Sequence, residues 1–230
     1  MTKTEIIKVK NVRKTYMGNG IEVKAVRGID LTIKSGEFTA IVGPSGSGKT
    51  TFLNTISGLD SPTEGEIQLN GKDLRKMNGK ELSDMRRDNI GFIFQSYNLI
   101  PVLTVEENIE YIMMLQGIKA SERKKRVNQI LKEVELSGFE DRFPPQLSGG
   151  QQQRVAVARA MVSNPTLILA DEPTANLDSK TSNSLLDMMK RLNKETNMTF
   201  LFSTHDPLIM EKADRVITLK DGKIESDEVK

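Results

Sequence analysis

The sequence predicts an α/β fold with a mainly parallel sheet, preceded by an antiparallel β part and interrupted by a helical block. Three observations carry that prediction: apolar strands alternating with helices in the second half, turn-divided β runs before position 42, and helical periodicity from Thr104 to Val134. At 230 residues with 37% hydrophobic side chains, the chain can bury a substantial core.

Residues 5–42 are expected to form short strands divided by turns, with VKAVRGIDLTI and FTAIV as the apolar runs and KSGE between them. EGEIQLNGKDL then adds a strand with an Asn-Gly turn, and RVITLKDGKIES reads as a hairpin around Asp221-Gly222. In the middle block, Thr104 with Glu107 makes a capping box before NIEYIMMLQ, and Val127, Ile130, Leu131 and Val134 form one stripe of the next helix. The basic run Lys124 to Arg126 reads as the solvated face of that helix. TLILADE and MTFLFSTH are apolar strands bounding a helix with Leu185, Leu186, Met189 and Leu192 on one side.

Composition narrows the function. Lys plus Arg number 33 against 31 Asp plus Glu, too balanced for a protein that coats a polyanion, so nucleic acid is not indicated. The chain has no cysteine, which excludes disulfides, thiolate metal sites and cysteine nucleophiles. MTKTEIIKVKNVRK carries no apolar leader core, and no run of about 18 apolar residues occurs, so the chain is expected to be soluble, unexported and not inserted in a membrane.

The chemistry begins at GPSGSGKT, residues Gly43, Pro44, Ser45, Gly46, Ser47, Gly48, Lys49 and Thr50, followed by Thr51. It lies between an apolar strand and a helical segment with Phe52, Leu53 and Ile56. Glycines let successive N–H groups face phosphate oxygens, and the helix N-terminus adds its positive dipole end. Lys49 would reach the β and γ phosphates, and Thr50 would offer its hydroxyl to Mg²⁺. TLILADE ends in Asp171 and Glu172, two carboxylates at the sheet edge where such ligands bind. Asp171 would support the metal through water, and Glu172 would orient or deprotonate the attacking water.

A second glycine-rich loop, LSGGQQQR, runs into another helix: Ser148 can cap it, Val155, Ala158, Met161 and Val162 form its apolar side, and Asn164-Pro165 stops it. One glycine-rich loop suffices for one nucleotide, so the second needs another explanation. The order of GPSGSGKT, LSGGQ, a hydrophobic strand ending in DE and a strand ending in TH resembles ATP-binding cassette proteins over nearly the whole chain. The resemblance implies a P-loop NTPase (RecA-like) core over a single cassette, residues 1–230. A helical subdomain over about 97–160 would carry LSGGQ.

It further implies an ATP-dependent homodimer, in which Ser148, Gly149, Gly150 and Gln151 of one chain close over Mg-ATP held by the other. By the same resemblance Tyr16 would stack on adenine, Gln95 would sense Mg²⁺ and the attacking water, His205 would contact the γ-phosphate, and Asp178 would lie across the dimer interface. SPTEGEI, RRDNIGFIFQSYNLIPVLTVEENI and LSGGQQQRVAVARA are similar to the lipoprotein-release, macrolide-export and antimicrobial-peptide-export branch. Ala175 departs from the glycine of many of those relatives. Members dock on a separate transmembrane permease at the cytoplasmic face of the membrane. Tyr97, Leu99, Ile100, Val102 and Leu103 would form that docking surface, or else cover the helical block's own core. Two other readings are a non-transport cassette regulating a cell-envelope or cell-division assembly, and a small-molecule kinase, which would need neither LSGGQ nor the TH strand end.

Overall fold

The computed structural model describes residues 4–18 and 21–230. The two sheets enclose α1 (Lys49–Ile56), and most of the remaining helices cover the other face of the larger sheet. The first sheet has four antiparallel strands in the order β2-β1-β4-β5, formed by β1 (Glu5–Gly18), β2 (Ile21–Lys34), β4 (Glu64–Leu69) and β5 (Lys72–Asp73). The second has six strands in the order β10-β9-β3-β8-β7-β6: β3 (Phe38–Val42), β6 (Ile90–Phe94), β7 (Leu167–Asp171), β8 (Thr199–Thr204), β9 (Arg215–Lys220) and β10 (Lys223–Val229). All its pairs are parallel except β9 with β10, the hairpin expected at Asp221-Gly222.

The first 42 residues depart from the expected short strands. β1 and β2 each run 14 residues, with register shifts between Val9 and Val12 and on either side of Arg13 and Lys14. Those irregularities change which side chain faces inward: Ile7 and Val9 are buried at odd positions, and after the shift that follows Val9, Val12 is buried at an even one. A continuous strand with a bulge therefore reads as two short ones, because the period of two is broken.

The central strands of the six-stranded sheet are buried on both faces. Phe38, Ala40, Val42, Ile168, Ala170, Phe200 and Phe202 point into one cluster with the helices α3 (Val105–Leu115), α4 (Ala120–Glu133), α5 (Gly149–Met161) and α6 (Ser179–Thr196). Ile41, Leu167, Leu169, Leu201, Ile217 and Leu219 point the other way, against α1 (Lys49–Ile56) and the inner face of the antiparallel sheet. Alternate side chains of one strand thus feed two cores, as continuous apolar runs in a parallel sheet require. Each fully buried Phe, Leu, Ile or Val among them contributes about 1.5–3 kcal/mol. This packing fixes the C-terminal ends of β3, β7 and β8 side by side, and the functional loops leave from those ends.

Two short helices fall outside the sequence reading: α2 (Gly79–Asn89) and α7 (Pro207–Lys212). The capping box at Thr104 and Glu107 forms as expected, with bonds of 3.2 and 2.8 Å. No helix among the described residues is long and apolar enough to cross a membrane.

Candidate functional site: a phosphate cradle at the sheet edge

β3 delivers the chain into the loop Gly43–Gly48, and α1 begins at Lys49. Glycine is compelled at two points. A Cβ on Gly43, at φ +151°, would sit 2.1 Å from the Leu219 carbonyl oxygen, and one on Gly48, at φ +100°, would sit 2.3 Å from that of Ala25. Gly48 caps α1 without a side-chain hydrogen bond, so no side chain takes the first-turn N–H groups there. The Lys49 ammonium lies across the loop, donating to the carbonyls of Gly43 at 2.7 Å and Pro44 at 3.1 Å. It is buried without a carboxylate partner, a cation held ready for an anion.

The loop forms one wall of a cleft of about 850 Å³, a size suited to a nucleotide. Pro44, Ser45, Gly46, Gly48, Lys49, Thr50 and Thr51 line it, opposite Gln95, Asp171, Glu172 and His205. Thr50 Oγ1 lies 3.4 Å from Asp171 Oδ2, and Asp171 Oδ1 is buried with no partner. A hydroxyl beside an under-satisfied carboxylate suits Mg²⁺. Among the described residues no three His, Asp or Glu side chains converge as metal ligands, so the ion would take its other ligands from water and phosphate.

Glu172 is held from three sides. Its N–H donates to Ser203 O at 2.9 Å, Thr204 Oγ1 donates to its Oε2 at 2.9 Å, and His205 Nδ1 lies 2.7 Å from its Oε1. The backbone adopts φ +46°, a left-handed conformation that a non-glycine residue enters at a cost. The carboxylate is mostly buried while His205 is mostly exposed, so the imidazole sits between Glu172 and solvent.

The other predicted residues are not part of the cleft lining. Gly43 and Ser47 lie behind it; Ser47 is buried with its hydroxyl unpartnered. Tyr16 is paired with Val23 across β1 and β2 and half-exposed, with its hydroxyl on Asp60. Asp178 caps α6, accepting from the backbone of Lys180 and Thr181 and from the Thr181 hydroxyl at 2.6 Å. Those bonds, the Thr181 hydroxyl first, hold its carboxyl below the usual range.

Ser148, Gly149, Gly150 and Gln151 begin α5, away from the cleft lining of their own chain. Ser148 Oγ accepts from Gln151 N at 3.3 Å and Gln151 Oε1 accepts from Ser148 N at 2.9 Å, a reciprocal cap. α5 is tied to the loops that follow Gln95 and Glu172. Arg159 donates to the carbonyls of Tyr97 at 2.8 Å and Asn98 at 2.5 Å, and burial draws its guanidinium below the ordinary arginine value. Gln153 Nε2 donates to Pro173 O at 2.7 Å, next to Glu172, and Asn176 Nδ2 donates to Gln95 O at 2.9 Å.

The stretch after Gln95 is partly buried and partly exposed. Leu99 packs on the helical core, whereas Val102 is 77% exposed beside α3, where Tyr111, Met114 and Leu115 are exposed as well. Sequence reasoning missed the far wall of the cleft: Glu22, Val23, Lys24, Ala25 and Arg27 of β2, with Asp221 and Gly222. The hairpin turn was legible, but its contact was not: Gly222 N donates to Ser47 O at 3.0 Å, and Arg27 N donates to Gly222 O at 2.8 Å.

The family model described as ABC transporter matches residues 26–175. The chain is 48% identical over 228 residues to an uncharacterized ABC transporter ATP-binding protein, MJ0796, of Methanocaldococcus jannaschii, covering 97% of each. It is 42% identical over 222 residues to the lipoprotein-releasing system ATP-binding protein LolD 1 of Rhodopseudomonas palustris, covering 96% of this chain and 98% of that one. The dimeric structure of MJ0796 in a post-hydrolysis state, bound to ADP and Pi, superposes with a TM-score of 0.89 at 46% identity, covering 97% of this chain and 98% of that one.

Proposed function

This chain belongs to the ABC transporter family, and we propose that it is the ATP-hydrolysing subunit that drives a separate transmembrane permease. The single observation carrying this reading is the cleft in which the unpaired Lys49 ammonium, the Thr50–Asp171 pair and the braced Glu172 converge. The reading treats residues 1–230 as one cassette and about 97–160 as its helical subdomain.

Lys49 and the N–H groups of the loop bind the β and γ phosphates. Thr50, and Asp171 through water, would hold Mg²⁺, which when bound neutralises charge on the phosphate oxygens. Glu172 aligns a water and takes its proton as the water oxygen bonds to the γ-phosphorus and the bond to the β-bridging oxygen breaks, releasing ADP and phosphate. Thr204 and His205 fix the direction of that carboxylate; His205, through its other imidazole nitrogen, and Gln95 line the same cleft and would contact the γ-phosphate and the attacking water.

Ser148 to Gln151 complete the site from a second copy. Support comes from their position outside the cleft of their own chain and from the dimeric form of the relative bound to ADP and Pi. The exposed apolar group around Val102 and α3 is the surface on which the permease sits, placing the subunit at the cytoplasmic face of the membrane. Likeness to a lipoprotein-releasing component supports a release or export partner.

Replacing Glu172 by Gln tests the chemistry. Hydrolysis is expected to fall by roughly 10²–10⁴-fold with nucleotide binding retained; unchanged hydrolysis would remove Glu172 from the mechanism. Co-purification in detergent tests the partner: a multispan permease supports the reading, and a soluble scaffold in its place overturns it.

A further inference from the structure

The Tyr16 ring is held by a side chain that no motif singled out. Its hydroxyl donates to Asp60 Oδ2 at 2.8 Å, while Lys14 Nζ donates to Asp60 Oδ1 at 2.6 Å and to Ser61 O at 2.8 Å. The same ammonium stands 4.9 Å from the centre of the Tyr16 ring, on one face of it. Asp60 is itself anchored: its N–H and that of Leu59 both donate to Asn54 O, at 3.1 and 3.0 Å, and its Oδ1 accepts from Ser61 N at 2.8 Å. Asn54 belongs to α1, the helix whose first residues are Lys49 and Thr50.

A tyrosine on the surface of a strand has two free torsions, and a stacking platform works only when its plane is fixed. Asp60 removes that freedom from the hydroxyl end, and Lys14 covers one face, so a base would stack on the other. Because the clamp is built on α1, the ring plane is set relative to the phosphate cradle itself.

The protonation states suit the clamp. Burial works to raise the Asp60 carboxyl, but the hydrogen bonds from Lys14 and Tyr16 outweigh it and hold the group below the usual carboxylate range. Burial, and then the bond to Asp60, pushes the Tyr16 hydroxyl up, so it remains a donor at neutral pH.

We infer that Asp60 is the positioning residue of the base site: through Tyr16 it sets the distance and tilt between the adenine platform and the phosphate loop. This inference rests on the reading that Tyr16 stacks on adenine.

The test compares equilibrium binding of Mg-ATP with that of inorganic tripolyphosphate, which has no base. Asp60→Ala, Asp60→Asn, Tyr16→Phe, Tyr16→Ala and the Asp60→Ala/Tyr16→Ala double variant are measured in the full chain. Asp60→Ala is expected to weaken ATP about three- to tenfold, the equivalent of one hydrogen bond, and to leave tripolyphosphate unchanged. Tyr16→Phe reproduces that loss, Asp60→Asn recovers part of it by keeping an acceptor, and the double variant binds no more weakly than Tyr16→Ala. In turnover KM rises and kcat holds. If Tyr16→Ala weakens ATP but Asp60→Ala and Tyr16→Phe do not, the positioning role is wrong and the stacking reading survives. Unchanged ATP binding in Tyr16→Ala ends the stacking reading itself. Equal weakening of ATP and tripolyphosphate by Asp60→Ala and Tyr16→Phe would place the effect in α1 and overturn the inference.

Discussion

Asp227 on β10 and Arg215 on β9 show what a single side chain contributes away from the cleft. Arg215 makes a two-pronged contact to Asp227, both bonds 2.7 Å, and reaches Glu37 at 3.0 Å and the Thr32 carbonyl at 2.9 Å, tying the antiparallel edge to the rest of the fold. The guanidinium bond, working against partial burial, holds the Asp227 carboxyl below the usual range. A depressed carboxyl adds stability that is complete above the unfolded value, about 3.9, and is lost as pH falls through the folded value. Asp227→Asn should therefore cost about 1 kcal/mol at neutral pH. The gap in urea midpoint should hold down to the ordinary carboxylate range and close below it; a gap that persists at lower pH would contradict the assignment. At this scale the loop Gly43–Thr50 and the carboxylates Asp171 and Glu172 were legible, because their spacing and flanking strands are written in the sequence. The brace on Glu172 was only half legible: Thr204 and His205 stand out as a strand end, but their pairing with a residue more than 30 positions earlier arises from the parallel register of β7 and β8.

Among the elements, the turn between β6 and α3 depends on one side chain. Asn108 is buried, accepts from Ile100 N at 2.8 Å, and donates to the carbonyls of Ile100, Leu103 and Thr104 at 2.9–3.1 Å. Asn108→Ala should destabilise the fold by roughly 1–3 kcal/mol, because buried backbone groups lose their partners. The same substitution should raise amide exchange at Ile100; an unchanged unfolding midpoint would mean that water replaces the side chain. β6 meets α5 equally closely: a Cβ on Gly91 would lie 2.2 Å from the Ala160 carbonyl oxygen. Gly91→Ala is accordingly expected to lower stability by about 1–3 kcal/mol in urea unfolding, and a neutral result would show that α5 can withdraw. Element type was readable wherever a continuous apolar pattern exists, as in β3, β7, β8 and α6. α2 was overlooked because only Met85 is buried in it, which leaves no stripe, although Asn78 and Glu81 form a capping box. α7 is six residues long, too short for a period to show.

At the scale of the whole molecule, the two glycine-rich loops are held by different parts of one fold. GPSGSGKT is fixed between the two sheets, whereas LSGGQ rides on α5, whose Arg159 and Gln153 contact the loops that follow Gln95 and Glu172. In the proposed dimer those contacts would connect the nucleotide of one chain to the LSGGQ loop offered to the other, and a role in trans accounts for one chain carrying both loops without bringing them together. The topology was legible from alternating strands and helices, but which loop faces which cleft depends on packing that no local pattern records. The most direct test of the account is the solution mass of the Glu172→Gln protein with and without Mg-ATP, with Ser148→Arg added to that background as the comparison. Mg-ATP is expected to raise the mass from 25.7 kDa to twice that value, while the Ser148→Arg protein stays at one chain. A Ser148→Arg protein that doubles as fully as its parent, or a parent that never doubles, would contradict a signature loop acting across the dimer.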